Sequence, residues 1–142
     1  MDRPDNTSQT RAEIIRMFLP TSPYANHLGI QLIDMQPDMA TLSLPFANSL
    51  ITIGTTVHGG AIASLIDTAA MVAAWSDDSV PDNLRGSTVS LTITYLAPAE
   101  REDIQAMARV LQRGRNLVFL DVKVQTVSGK NIASGLVTYK LG

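Results

Sequence analysis

The chain has 142 residues, 45% of them hydrophobic and 17% charged, with a formal net charge of -2. This is enough for one domain with a real core and too short for two ordinary ones, in an apolar, folded composition. The slight acidity excludes a general nucleic-acid binder, which carries a basic excess, and the absence of cysteine excludes disulfides, thiolate zinc and thiol catalysis. The two histidines, His27 and His58, have no carboxylate cluster beside them, so neither a metal nor a bound cofactor is expected.

Residues 1–7 read as a polar tail without the apolar core of a signal peptide, which makes a soluble, cytoplasmic protein the expectation. Over residues 8–19, Ile14, Ile15, Phe18 and Leu19 recur at helical spacing until Pro20 stops the helix. Residues 21–28 form a connector with Pro23 and room for one helical turn. Residues 1–28 thus make an N-terminal tail and helix, and residues 29–142 the main domain. Two alternating stretches, 29–35 and 39–46, predict strands joined by a turn at Gln36-Pro37-Asp38. A loop rich in Ser, Thr, Gly and Asn then leads to His58.

The next element is the most distinctive. Residues 61–75 carry Ala at 61, 63, 69, 70, 73 and 74, with Ile, Leu, Met and Val between them, and only Ser64, Asp67 and Thr68 are polar. A helix apolar almost all round is buried on most sides, and its alanines let a sheet approach closely. It is too short to span a membrane, and Asp67 sits at its middle. After a polar connector over 76–85, four more strands are predicted at 87–97, 103–112, 116–126 and 131–141, as an antiparallel meander. One antiparallel sheet packed on one buried helix is an α+β architecture.

Two features could carry chemistry. His58-Gly59-Gly60 enters the helix where amides are free, and the two glycines leave those amides uncovered for a carbonyl oxygen that gains negative charge. The plainer alternative is a tight join between loop and helix. Asp67, amid apolar neighbours, is a candidate base or nucleophile; the plainer alternative is a structural Asp held by Thr68, Thr88 or a backbone amide. Gly59 and Asp67 are eight residues apart, about 12 Å along one helix, too far for both to reach one carbonyl carbon. They either serve different purposes or meet across a two-fold dimer with antiparallel central helices. A Ser64–His58–Asp67 triad fares worse, because no Gly-x-Ser-x-Gly surrounds Ser64. Arg113 and Arg115, flanking Gly114 at a turn, are candidates for a phosphate clamp, or simply solvated turn residues.

The ordered combination of His58-Gly59-Gly60, Asp67 nine residues after the histidine on an Ala-rich helix, the run Ile93-Thr94-Tyr95-Leu96-Ala97-Pro98-Ala99 and the Arg-Gly-Arg turn resembles the hotdog thioesterases of the phenylacetic acid degradation type. The likeness runs from about Gly29 to the C-terminus. It implies a hotdog fold, a long helix wrapped by a curved antiparallel sheet of about six strands, assembled as a homodimer that forms the active site and further as a homotetramer. The implied activity is hydrolysis of an aryl- or fatty-acyl-CoA thioester without metal or cofactor, coenzyme A entering only as part of the substrate. Asp67 would be nucleophile or general base, and Gly59 the oxyanion amide given by the partner subunit. His58 and Gly60 would lie beside the thioester, Thr88 would help orient water, and Arg113 and Arg115 would meet the phosphates. One departure from the pattern is Thr52, where many relatives carry an Asn that holds substrate; a Thr hydroxyl reaches less far. Two alternatives remain beside hydrolysis: a non-catalytic acyl-CoA-binding hotdog domain, and a hotdog hydratase or dehydratase using His58 with Asp67. Leu50, Ile51, Ile53 and Trp75 are expected to shape the acyl pocket.

Overall fold

The structure, a computed structural model, describes residues 9–142; the expected tail and the Ser8 start of the first helix lie outside the described residues. Helix α1 (Arg11–Phe18) is capped by Thr10, whose hydroxyl accepts the Glu13 amide at 3.2 Å, and a 3-10 turn over Leu19–Thr21 follows at Pro20. The connector forms a second short helix, α2 (Pro23–Leu28), with Pro at its first position and Gly29 in the left-handed region (φ 80°) closing it. Ile15, Leu19 and Ala25 from these segments are buried in the same core as the rest of the chain.

Strands β1 (Gln31–Gln36) and β2 (Met39–Leu44) form the expected hairpin. The loop to His58 holds a 3-10 turn and a two-stranded ribbon, β3 (Ile51–Ile53) and β4 (Thr56–Val57), too short to be visible as sequence alternation. The central helix α3 (Gly59–Ala74) begins at the glycines rather than after them. It lies against every strand of the main sheet, and Ala69, Ala70, Ala73 and Ala74 are wholly buried. Burying this face takes the apolar residues of α3 and of the alternating strands out of water together, at about 25 cal/mol per Å². None of the described helices is long and apolar enough to cross a membrane.

Strands β5 (Gly86–Tyr95), β6 (Ile104–Arg113), β7 (Leu117–Thr126) and β8 (Asn131–Leu141) complete an antiparallel six-stranded sheet in the order β1-β2-β6-β7-β8-β5. One expectation is corrected. Only β6, β7 and β8 form a meander; β5 does not pair with β6 but lies at the far edge, beside β8. The residues after Tyr95 are not a hairpin turn. They cross the N-terminal end of α3, where the Val57 amide donates to the Ala99 carbonyl at 2.8 Å and Glu100 bridges Thr56, and deliver the chain to β6 in mid-sheet. The result is the hotdog arrangement, with α3 inside the sheet.

Candidate active site

The entrance to α3 is built on His58. Its extended backbone (φ −60°, ψ 134°) makes it the N-cap, and its Nδ1 accepts the Gly60 amide at 2.7 Å. The Ala61 and Ile62 amides donate to the His58 carbonyl at 3.0 and 3.2 Å. Of the first four helix amides, only that of Gly59 has no partner among the described residues. The expected pair of open amides is therefore reduced to one, because Gly60 is consumed by the cap. An Nδ1 that accepts a bond carries no proton, so neutral His58 holds its proton on Nε2.

Gly59 is covered on one side by Tyr95 of β5. The Tyr95 hydroxyl donates to the Gly59 carbonyl at 2.7 Å, and its ring would lie 3.3–3.4 Å from any Cβ at this position. A cavity of about 410 Å³ opens here, lined among others by Gly59, Tyr95, Ile62, Thr56 and Thr52. Thr52 thus shares a cavity with the free amide.

Asp67 lies two turns further along α3, half-buried, with Oδ1 accepting the Thr88 hydroxyl at 2.6 Å. Thr68 does not hold it; that hydroxyl is turned back to the Ser64 carbonyl at 2.7 Å. Ser64 donates to the Gly60 carbonyl at 2.9 Å and accepts from Tyr24 at 2.8 Å, so neither Ser64 nor His58 Nδ1 is aimed at the other as a triad requires. Asp67 and Thr88 line a cavity of about 200 Å³ with Phe18, Ser22, Tyr24 and Met71. An apolar cavity of about 270 Å³ adjoins it through the shared Phe18 and Met71, and reaches Trp75, Gly86 and Tyr139. Asp67, Met71 and Trp75 are four residues apart, one stripe of the helix.

Trp75 Nε1 donates to the Tyr139 hydroxyl at 3.1 Å. Burial pushes the Tyr139 phenol above its ordinary value; the Trp75 bond opposes this and the negative charge of Asp67 adds to it.

A bulge determines which β5 residues face α3. Simple alternation places Val89, Leu91, Ile93 and Tyr95 on one face and Thr88 on the other. The register instead slips between Thr88 and Ser90, so that Thr88, Leu91, Ile93 and Tyr95 oppose Tyr139, Val137, Gly135 and Ala133, all buried positions of β8. The extra residue brings Thr88 and Tyr95 to the same face. Their β8 partners are six residues apart, about 20 Å of strand. The chain therefore carries two separate candidate half-sites, the free Gly59 amide beside the carbonyl that Tyr95 holds, and a carboxylate that Thr88 holds.

The thioesterase superfamily profile matches residues 54–133, the stretch that contains both half-sites. The chain belongs to the thioesterase superfamily. It is 30% identical to human acyl-coenzyme A thioesterase 13 over 139 residues, 95% of this chain and 96% of the relative. Among solved structures it resembles zebra fish thioesterase superfamily member 2, at 28% identity and TM-score 0.79, covering 95% of this chain and all of the other. It also resembles the E. coli PaaI protein from the phenylacetic acid degradation operon, at 25% identity and TM-score 0.73, covering 82% of this chain and 86% of the other.

In this thioesterase the two arginines of the expected phosphate clamp part company. Arg113 turns inward: its Nε donates to Asp38 at 2.7 Å, and its two terminal nitrogens donate to the carbonyls of Ala74 and Ala73 at 2.9 and 3.2 Å. It caps the C-terminal end of α3, where a cation also meets the negative end of the helix dipole, and each of its three guanidinium nitrogens already has a partner in the chain. Arg115 is exposed and lines a polar cleft with Arg85 and Asn83. Of the residues expected to shape the acyl pocket, Leu50 is buried in the 3-10 turn before β3, Ile51 is half-buried and Ile53 exposed on β3, and none of these lines the apolar cavity; Trp75 does. Phe18, Met71, Tyr95 and Tyr139 were not singled out from sequence. Met71 could have been found as Asp67 plus four; Tyr95 stood within the quoted strand, but nothing in its spacing marks a contact with Gly59.

Proposed function

We propose that this thioesterase hydrolyses acyl-CoA thioesters at a site shared between two subunits, Asp67 of one acting with the Gly59 amide of the other. The observation that carries the proposal is the separation of the two half-sites: a carboxylate held by Thr88, and the unpartnered amide of Gly59, whose own carbonyl Tyr95 holds, about two turns of helix apart. The likeness to human acyl-coenzyme A thioesterase 13 supports the substrate class.

Strand β5 supplies the assembly. It is a ten-residue edge strand, exposed along nearly its whole length, with Val89, Leu91, Tyr95 and the following Leu96 open to solvent. A long apolar edge of this kind pairs with another strand unless it is blunted, and β5 contains no Pro, Lys or Arg. Antiparallel pairing of two β5 edges about a two-fold axis near Leu91 and Thr92 brings the partner's Tyr95 towards Thr88, and the partner's Gly59 towards Asp67. The operation makes two equivalent sites.

The chemistry follows from these groups. The thioester carbonyl carbon is attacked by Asp67 Oδ2, or by a water that Asp67 deprotonates, while Thr88 holds Oδ1. The carbonyl oxygen becomes an oxyanion and accepts the partner's Gly59 amide. The C–S bond then breaks and the coenzyme A thiolate takes a proton. The free acid leaves directly where water attacked; where Asp67 attacked, a water hydrolyses the acyl-aspartyl anhydride to release the acid and restore the carboxylate. The acyl group lies in the apolar cavity beyond Met71, on the Asp67 stripe of α3. Arg115 is the remaining candidate for a phosphate contact.

Gly59→Pro tests the shared site cleanly. Proline is favoured at the first helical position, and His58 already has the extended backbone that a residue before proline needs, so the substitution removes the amide hydrogen. Its Cβ would stand 3.3–3.4 Å from the Tyr95 ring, so the melting temperature is measured beside the activity. Gly59→Pro and Asp67→Asn are each expected to be inactive alone, and their hybrid dimer to regain one working site of two. No recovery in verified hybrids refutes the shared site. Tight acyl-CoA binding by the wild-type protein without turnover favours a binding domain instead.

A further inference from the structure

We infer that Tyr95 is a positioning residue for hydrolysis, fixing the Gly59 amide that receives the oxyanion; this rests on the proposed role of Gly59. A glycine has no side chain to restrict its backbone, so the direction of its N–H is set by what holds the peptide groups on either side. The Gly59 N–H shares a peptide plane with the His58 carbonyl, which is tied by the Ala61 and Ile62 amides. Ahead of it, the Gly59 carbonyl accepts the Tyr95 hydroxyl at 2.7 Å. The tyrosine ring stands 3.3–3.4 Å from an ideal Cβ, so any side chain at position 59 would press on the ring. Tyr95 thus holds the next peptide, Gly59–Gly60, from the sheet, and limits how far the peptide bearing the Gly59 N–H can turn about the glycine Cα.

The placement has a structural cause. Tyr95 ends β5, and its partner Ala133 on β8 keeps it on the face turned towards α3. Its hydroxyl spans from the sheet to the first turn of the helix, while the residues that follow cross over the same helix end. The tyrosine is half exposed, so it is not retained as core packing. Its hydroxyl does not touch Asp67, which is held separately by Thr88. Among the described residues the Tyr95 hydroxyl bonds the Gly59 carbonyl and no other group.

An oxyanion forms only in the transition state, so a misdirected amide lowers kcat and leaves KM nearly unchanged. Removing an oxyanion donor costs about 10²–10³-fold in rate, and loosening one costs less, so Tyr95→Phe, which keeps the ring and removes the hydroxyl, is expected to lower kcat about ten-fold or more. Acyl-CoA hydrolysis is measured on the purified full chain alongside its melting temperature. A kcat equal to wild type, or a loss confined to KM, overturns the inference.

Hybrid dimers, carrying a different tag on each chain and purified through both, separate this inference from the shared site. A hybrid of an Asp67→Asn chain with a Tyr95→Phe chain keeps one intact site if Tyr95 serves the neighbour's Asp67. A hybrid of the double variant with wild type then keeps only the impaired site. That order, the first hybrid faster than the second by the Tyr95→Phe factor, supports both readings. The reverse order, with Tyr95→Phe still slow in the homodimer, refutes the shared site and retains the role of Tyr95. Equal rates in both hybrids, at half of wild type, overturn the role of Tyr95.

Discussion

Replacing Arg113 with Ala distinguishes a helix cap from a phosphate clamp. The side chain is 22% exposed and donates to the carbonyls of Ala73 and Ala74 and to Asp38. These bonds are not of equal value. The Ala73 carbonyl keeps the Ser76 hydroxyl at 2.6 Å, so it stays satisfied. The Ala74 carbonyl belongs to a wholly buried residue, and leaving it unpaired costs about 1–3 kcal/mol. The pair with half-exposed Asp38 adds less than about 1 kcal/mol after solvent screening, and the cation at the helix C-terminus a similar amount. Asp77, 3.5 Å from Arg113, keeps its bond to Arg11 at 3.1 Å. The sum is about 3 kcal/mol, and at roughly 3 °C per kcal/mol for a chain of this size the melting temperature falls by about 9 °C. Urea unfolding and the KM for an acyl-CoA, measured at low and high salt, give the comparison. Lower stability with an unchanged KM is expected. A variant of wild-type stability whose KM has risen and lost its salt dependence refutes the cap.

Deleting Val89 removes the unpaired residue of the bulge and leaves Thr88 and Tyr95 six positions apart on a regular strand, still on the face turned to α3 and still opposite Tyr139 and Ala133. Hydrolysis is expected to persist while circular dichroism still reports the sheet; loss of hydrolysis in a folded variant contradicts the register argument. Tyr139 sets an alkaline limit. Its folded value lies above the ordinary phenol value of about 10, so the neutral phenol contributes fully to stability below that pH, and the contribution is lost as pH rises through the folded value. The urea midpoint is expected to fall above pH 10, and to fall less in Tyr139→Phe; an identical alkaline slope in both proteins removes Tyr139 as the cause.

Much of the fold is legible in the sequence because its signals are local. The Ala-rich run gives α3, and alternation gives six strands whose bounds shift by only a few residues in the structure. Strand order is not local. A turn-rich stretch after Tyr95 reads like a hairpin, but its length and Pro98 serve to cross the end of α3. The bulge is silent for a related reason: Val89 fits the apolar alternation of β5 so well that the sequence assigns Thr88 to the wrong face for bonding Asp67. Asp67 could be recognised from its cost in an apolar helix. The roles of Gly60 and Arg113 could not, because the groups that consume their donors, His58 Nδ1 and the last carbonyls of α3, are placed only by the folded chain. Charge in a turn gives no hint of whether the side chain points outward or in.

The most direct measurement is thiol release from a panel of aryl and fatty acyl-CoAs by the wild-type chain and by Asp67→Asn. The asparagine keeps the shape and can still bond Thr88, but it is neither a base nor an effective nucleophile. General base catalysis alone is worth about 10²–10⁴-fold, so kcat is expected to fall by at least about 10² with KM little changed. An Asp67→Asn protein that releases thiol at the wild-type rate contradicts the assignment of Asp67 and the site built around it.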